Sequence, residues 1–201
     1  MRARFCDEFD AGFGWVLDEF MERCSHALVV EGRVWLIDPL EGEGVEERVR
    51  GAGEPAGILQ LLDRHTRDCA AFAERLGVRL HVVPDRAVGP FSFIPLGLGR
   101  WWHEVALWWP ERRLLAIGDA LGTAGYFRAD AERLAVHPLL RLRPPRRQLE
   151  PLQPDLIVCG HGEGVLEQAD PALREALSTS RRRIPGQLAS AFRAWRASRP
   201  S

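Results

Sequence analysis

Seven consecutive polar or reactive side chains, Asp63, Arg64, His65, Thr66, Arg67, Asp68 and Cys69, follow an apolar run with no glycine or proline among them. Carboxylate, imidazole and thiolate are the usual donors to zinc, whereas a guanidinium stays protonated and is not a ligand. Three other places carry similar chemistry: Gly99 to Glu104, with Arg100 and His103; Gly118-Asp119; and Gly160-His161-Gly162. Each member has an ordinary structural account. Asp68 in the first turn of a helix is stabilised by the helix dipole. Cys69 shares a helical face with Phe72 and Leu76, where a thiol serves as a small hydrophobe. Asp119 could simply pair with an Arg. His161 is hardest to dismiss, because a tight turn needs glycine but not imidazole.

The elements that must position these groups are short. Ser25 to Val30 and Val34 to Pro39 read as a hairpin about Glu31-Gly32, and "AGILQLL" as a buried strand. Thr66 to Leu76 reads as a helix closed by Gly77, with a strand at "RLHVV" after it and a possible helical turn at Val45 to Arg50 before it. "FSFIPL", "HEVALWW", "RLLAIGD" and "PDLIVCGHG" read as further strands, and Leu121 to Pro145 as an irregular stretch. Two helices close the chain, about Pro171 to Arg182 and about Ile184 to Ala197. In the second, Ile184, Leu188, Phe192 and Trp195 at helical spacing predict docking on the body. Trp101, Trp102, Trp108 and Trp109 read as core or pocket wall, and Cys159 as an inert thiol inside a strand.

The chain has 201 residues, 46% hydrophobic and 27% charged, with a formal net charge of −1. This is globular composition, and the charge gives no reason to expect nucleic acid or an acidic membrane as the main partner. Arg181, Arg182, Arg183, Arg193, Arg196 and Arg199 form a basic tail, which reads as a solvated helix face. No apolar run reaches the length of a membrane span, and the start lacks the apolar segment of a signal peptide. Four cysteines, Cys6, Cys24, Cys69 and Cys159, make no disulfide framework, so a reducing cytoplasm is expected. Strands and helices alternate without a linker, which predicts one α/β domain over residues 1–201.

The order of the polar strand ends resembles the metallo-β-lactamase fold superfamily, in particular its glyoxalase-like and general hydrolase branches. The resemblance covers about Ser25 to Gly164. It is carried by "VWLIDP", the strand-loop-helix at Leu61 to Leu76, "PERRLLAIGDAL" and "DLIVCGHGEGV". It implies an αββα sandwich: two packed mixed sheets with helices outside. In that family the loop reads His-x-His-x-Asp-His; here those positions are Arg64, Thr66, Asp68 and Cys69, a degraded motif. A later Gly-His becomes Gly99-Arg100, while Asp119 and His161 match the family's Asp and final His. The resemblance therefore implies that a first metal site is lost. It also implies that a second, formed by Asp68, Cys69, Asp119 and His161, could hold one zinc ion, or none.

The leading expectation is a hydrolase-like protein with at most one metal, acting on an ester, thioester, amide or phosphoester. Asp68 and Asp119 would be its catalytic carboxylates, and it would be weak toward generic substrates. One alternative is a non-catalytic module that binds a small anion, with Arg64, Arg100, His65 and His103 lining the mouth. Metal-free thiol chemistry at Cys69 is another. Small-molecule ligands of anionic character are the expected partners. Arg64 and Arg100, at the vacated first-site positions, are expected to pair with Asp119 or with a neighbouring acid, Asp63 or Asp38.

Overall fold

A computed structural model describes residues 2–129 and 132–197; Arg199 of the basic tail lies outside them. Six strands form the first sheet in chain order: β1 (Ala3–Phe9), β2 (Gly12–Leu17), β3 (Cys24–Val30), β4 (Arg33–Ile37), β5 (Glu54–Gln60) and β6 (Arg79–Val82). The first four pair antiparallel, and β4, β5 and β6 run parallel. β4 and β5 are joined through α1 (Val45–Ala52), and β5 and β6 through α2 (Cys69–Leu76). The second sheet contains β7 (Ser92–Pro95), β8 (Val105–Trp109) and β9 (Leu114–Ile117). A two-stranded ribbon, β10 (Leu121–Gly122) and β11 (Ala135–Val136), comes next, and then β12 (Leu156–Cys159), which pairs parallel to β9. Helices α3 (Arg146–Leu149), α4 (Ala169–Thr179) and α5 (Ile184–Ala197) complete the chain.

Side-chain alternation along the strands builds four layers. On β4, Trp35 and Ile37 face the second sheet, where they join Leu59, Leu107, Leu114 and Val158. Val34 and Leu36 face the other way, onto Val45 and Val49 of α1 and Cys69 and Phe72 of α2. The second sheet repeats the pattern: Leu115, Ile117, Ile157 and Cys159 turn outward to meet Leu173 and Leu177 of α4. Both faces of each central strand are therefore apolar, as parallel segments covered on two sides require. Two sheets packed face to face with helices outside are the expected αββα sandwich. α2 ends where the sequence stops it. Gly77 adopts φ 66°, and the amides of Gly77 and Val78 donate to the carbonyls of Glu74 and Ala73.

Three features depart from the sequence reading. β1 and β2 were not foreseen: β2 is buried along its whole length but is interrupted by Gly12 and Gly14, which erase any alternation. The stretch from Leu121 to Pro145 holds the β10–β11 ribbon and a buried ion pair instead of being irregular throughout. Helix α5 does not dock through its apolar stripe, since Leu188, Phe192 and Trp195 are exposed. It contacts the body by the opposite side, where Gln187 and Ser190 are buried and the Gln187 amide donates to the Tyr126 carbonyl. Among the described residues no helix is long and apolar enough to cross a membrane.

Candidate metal centre

Four groups meet at the carboxyl ends of two parallel strand pairs. Asp38 follows β4, His65 lies in the loop after β5, Asp119 follows β9 and His161 follows β12. Asp38 holds φ 44°, a conformation L-residues rarely adopt, and this turns its carboxylate toward the end of β5. One oxygen accepts from the Leu61 amide at 3.0 Å and the other meets His65 Nδ1 at 2.8 Å. The other side of the same imidazole, Nε2, lies 2.8 Å from Asp119 Oδ1. That oxygen is also 3.0 Å from His161 Nε2. His161 Nδ1 donates to the Met21 carbonyl at 2.8 Å, with the Tyr126 hydroxyl 3.2 Å away. The result is a buried chain from Asp38 through His65 and Asp119 to His161.

Two further residues frame it. Glu104 is buried beneath Asp119 and accepts hydrogen bonds from the amides of Asp119 and Ala120 and from the Trp102 indole. Arg67, at φ 38°, turns its guanidinium inward and donates to the carbonyls of Cys24, Asp38 and Gly160. It thereby ties the ends of three strands together. Strained backbone at both Asp38 and Arg67 is the pattern of a site whose surroundings hold unfavourable conformations in place.

The electrostatics follow from this geometry. Burial alone would raise the Asp119 carboxyl, but hydrogen bonds from His161 and His65 reverse the effect and hold it well below the usual carboxylate range. For His65, burial and the Arg67 charge favour the neutral ring; the Asp38 charge and hydrogen bonds to Asp119 and Asp38 outweigh them, so its pKa is raised. Glu104 is pushed up to about 7, chiefly by burial and then by the neighbouring Asp119 charge. Burial, followed by Asp119, also raises the Tyr126 phenol.

His65, Asp119 and His161 offer ligand atoms that all lie within 4.8 Å of one another. Their chemistry suits a zinc ion. Each imidazole has its Nδ1 committed to an acceptor, Asp38 or the Met21 carbonyl, which orients Nε2 toward the shared carboxylate in the way that partners behind a metal's ligands do. Tetrahedral zinc places nitrogen and oxygen donors roughly 3.3 Å apart. The observed 2.8 and 3.0 Å contacts would need to open only slightly on losing their protons. Three protein donors would leave one position open, as catalytic zinc sites do.

The site residues expected from sequence divide clearly. Asp119 and His161 are brought together with His65. Asp68 stands apart from this group, its carboxylate accepting from the Glu41 amide at 2.7 Å. Cys69 belongs to the apolar layer under α2, where its thiol donates to the His65 carbonyl at 3.5 Å. Burial raises its pKa far above that of a free thiol, which argues against metal-free thiolate chemistry there. The expected ion pairs of Arg64 and Arg100 are not formed among the described residues. Asp119 and Asp38 take imidazoles instead, and Asp63 takes exposed His103 at 2.9 Å. Arg64 lies over the Trp102 ring, 4.4 Å from its centre, and Arg100 is exposed. The reason is parity. From His65 the loop turns alternate residues inward, so His65 and Arg67 reach the centre while Arg64 and Thr66 face solvent.

The sequence matches no family model, and no curated protein matches it. Its structure, however, is similar to solved metallo-β-lactamases. The enzyme FIM-1 from Pseudomonas aeruginosa, solved in a mono-zinc form, aligns with a TM-score of 0.60 and 11% identity, covering 100% of this chain and 98% of that one. A metallo-β-lactamase from Pontibacter korlensis gives 0.59 and 13%, covering 89% and 99%. The chemotaxis sensor ODP, solved as a peroxy diiron species, gives 0.56 and 16%, covering 89% and 94%. The chain has the metallo-β-lactamase fold.

Proposed function

We propose that this is a hydrolase-like protein of 1–201 forming one metallo-β-lactamase-type domain, with at most one metal ion in its centre, held by His65, Asp119 and His161. Of the four ligands that the resemblance implies, this reading keeps Asp119 and His161 and replaces Asp68 and Cys69 by His65. The observation that carries it is the pair of imidazoles, each fixed through Nδ1 and each aimed by Nε2 at one carboxylate oxygen. When bound, a zinc ion there supplies Lewis-acid chemistry toward an ester, thioester, amide or phosphoester. Asp38 orients His65, and Glu104 fixes the backbone under Asp119. Arg67 places a permanent positive charge beside the centre, which disfavours a second cation and suits an anionic substrate. Four free thiols support a reducing, cytoplasmic setting.

The test is to load chelator-stripped protein with zinc and assay it against a panel of small esters, thioesters and phosphodiesters. Hydrolysis that is slow, zinc-dependent and abolished by His161→Ala and by His65→Ala supports the reading. Turnover that survives both substitutions overturns it. A second reading, a non-catalytic anion binder, is favoured by the permanent charge of Arg67 beside the centre. It would show saturable phosphate binding and no turnover.

A further inference from the structure

Outside this centre, a second group of metal-ligating side chains is buried between β1, β2 and β3. Cys6 lies on β1, Cys24 and His26 on β3, and Asp7 at an irregularity in β1 where the register shifts. All four are buried. We propose that Cys6, Asp7 and Cys24, with His26 beside them holding the Asp7 carboxylate, form a structural site for a soft divalent cation of the zinc type.

Three independent features point there. The first is spacing. The two sulfurs are 3.7 Å apart. Tetrahedral zinc with Zn–S near 2.3 Å demands S···S of roughly 3.8 Å. His26 Nε2 lies 2.9 Å from Asp7 Oδ2 and so orients that carboxylate from behind. Donor atoms of Cys6, Asp7 and Cys24 all lie within 4.8 Å of one another.

The second feature is space. Gly14 of β2 stands in register between Cys6 and His26. A Cβ there would fall 2.8 Å from His26 Cδ2, 2.9 Å from Nε2 and 3.1 Å from Asp7 Oδ2. Glycine weakens a strand interior, so it marks a place where other groups need the room. The third is aim. Asp7 takes φ 53°, turning its carboxylate inward, where both oxygens accept from the Gly164 amide at 2.8 and 2.9 Å. Asp7 also reaches the wall of a surface cleft shared with Glu22 and Glu163, as well as Arg128 and Arg133, which gives an ion a way in.

Binding would release the two thiol protons to solvent and leave a thiolate pair neutralised by the dication. It would also brace the neighbouring centre. The Gly164 amide holds Asp7 and the Cys24 amide donates to the Gly160 carbonyl, so the ion would clamp both ends of the loop carrying His161.

Reduced, metal-free protein titrated with cobalt(II) alone tests this, because thiolate ligation produces a near-ultraviolet charge-transfer band. The proposed hydrolytic centre contains no thiolate, so His65→Ala should leave the band intact, and failure of either site is distinguishable from failure of the other. The expected result is a band that saturates at one equivalent, is displaced by zinc, persists in Cys69→Ala and is lost in Cys6→Ser and Cys24→Ser. Should those two variants fail to fold, zinc in the parent protein must slow alkylation of Cys6 and Cys24 more than that of Cys69 and Cys159. Absence of the band, its loss in Cys69→Ala alone, or equal protection of all four thiols overturns the proposal.

Discussion

Two charged groups next to Phe127 do different work. Arg141 and Glu132 have side chains only 1% exposed and meet through both guanidinium Nη atoms. The remaining contacts are backbone: Glu132 accepts from the Ala129 amide, and Arg141 donates to the carbonyls of Phe127 and Ser180. Nearly every bonding direction is used, and the pair acts as a staple joining the loop after β10 to the end of α4. Asp119 is partly buried, its side chain 15% exposed, and its oxygen is approached by two imidazoles whose positions are set from behind. A structural pair closes on itself, while a binding group converges on a point and keeps one side open.

The largest expected effect breaks the staple. Arg141→Ala leaves Glu132 charged and unpaired in the interior and should cost about 3–5 kcal/mol of stability, measured by denaturant unfolding. Zinc affinity of the surviving folded protein should be unchanged, since no metal donor is touched.

The next concerns His137, whose ring packs against both Phe127 and Trp102 and whose pKa is lowered to about 4, chiefly by burial. A lowered base favours the folded state above its unfolded pKa and loses that contribution as the unfolded chain gains a proton. Metal-free protein should therefore lose up to about 3 kcal/mol as pH falls from about 6.5 to about 4. His137→Gln should flatten that part of the stability profile.

At the centre, Asp38→Asn removes the carboxylate behind His65 while keeping an oxygen for the Leu61 amide. Zinc affinity should fall about 10–100-fold with the fold intact, as read by competition with a chromogenic chelator. Smallest is Arg64→Ala. It loses one exposed guanidinium–indole contact with Trp102, worth about 0.5–1 kcal/mol, and should not change zinc affinity. A large loss of affinity there would erase the distinction between rim and centre.

Much of this was legible in the sequence because parallel buried strands leave continuous apolar runs. "VWLID" and "DLIVCGHG" mark β4 and β12 together with the polar groups just past their ends, Asp38 and His161. Asp119 after "AIG" was visible for the same reason. The orientation of the loop after β5 was not. His65 and Arg64 are neighbours, and only the backbone, with Arg67 in a left-handed conformation, decides which faces inward. Arg67 and Glu104 gave no motif signal, since their importance lies in backbone groups that no pattern of side chains records. Cys6 and Cys24 are eighteen residues apart and become neighbours only through two reversals of chain that Gly12 and Gly14 conceal.

The central claim is that His65, not Asp68 or Cys69, completes the centre with Asp119 and His161. Anomalous diffraction at the zinc edge from crystals grown with zinc tests it most directly. The account predicts a peak in contact with His65 Nε2, Asp119 Oδ1 and His161 Nε2. A peak bonded to Asp68 and Cys69, or none beside Asp119 at saturating zinc, would contradict it.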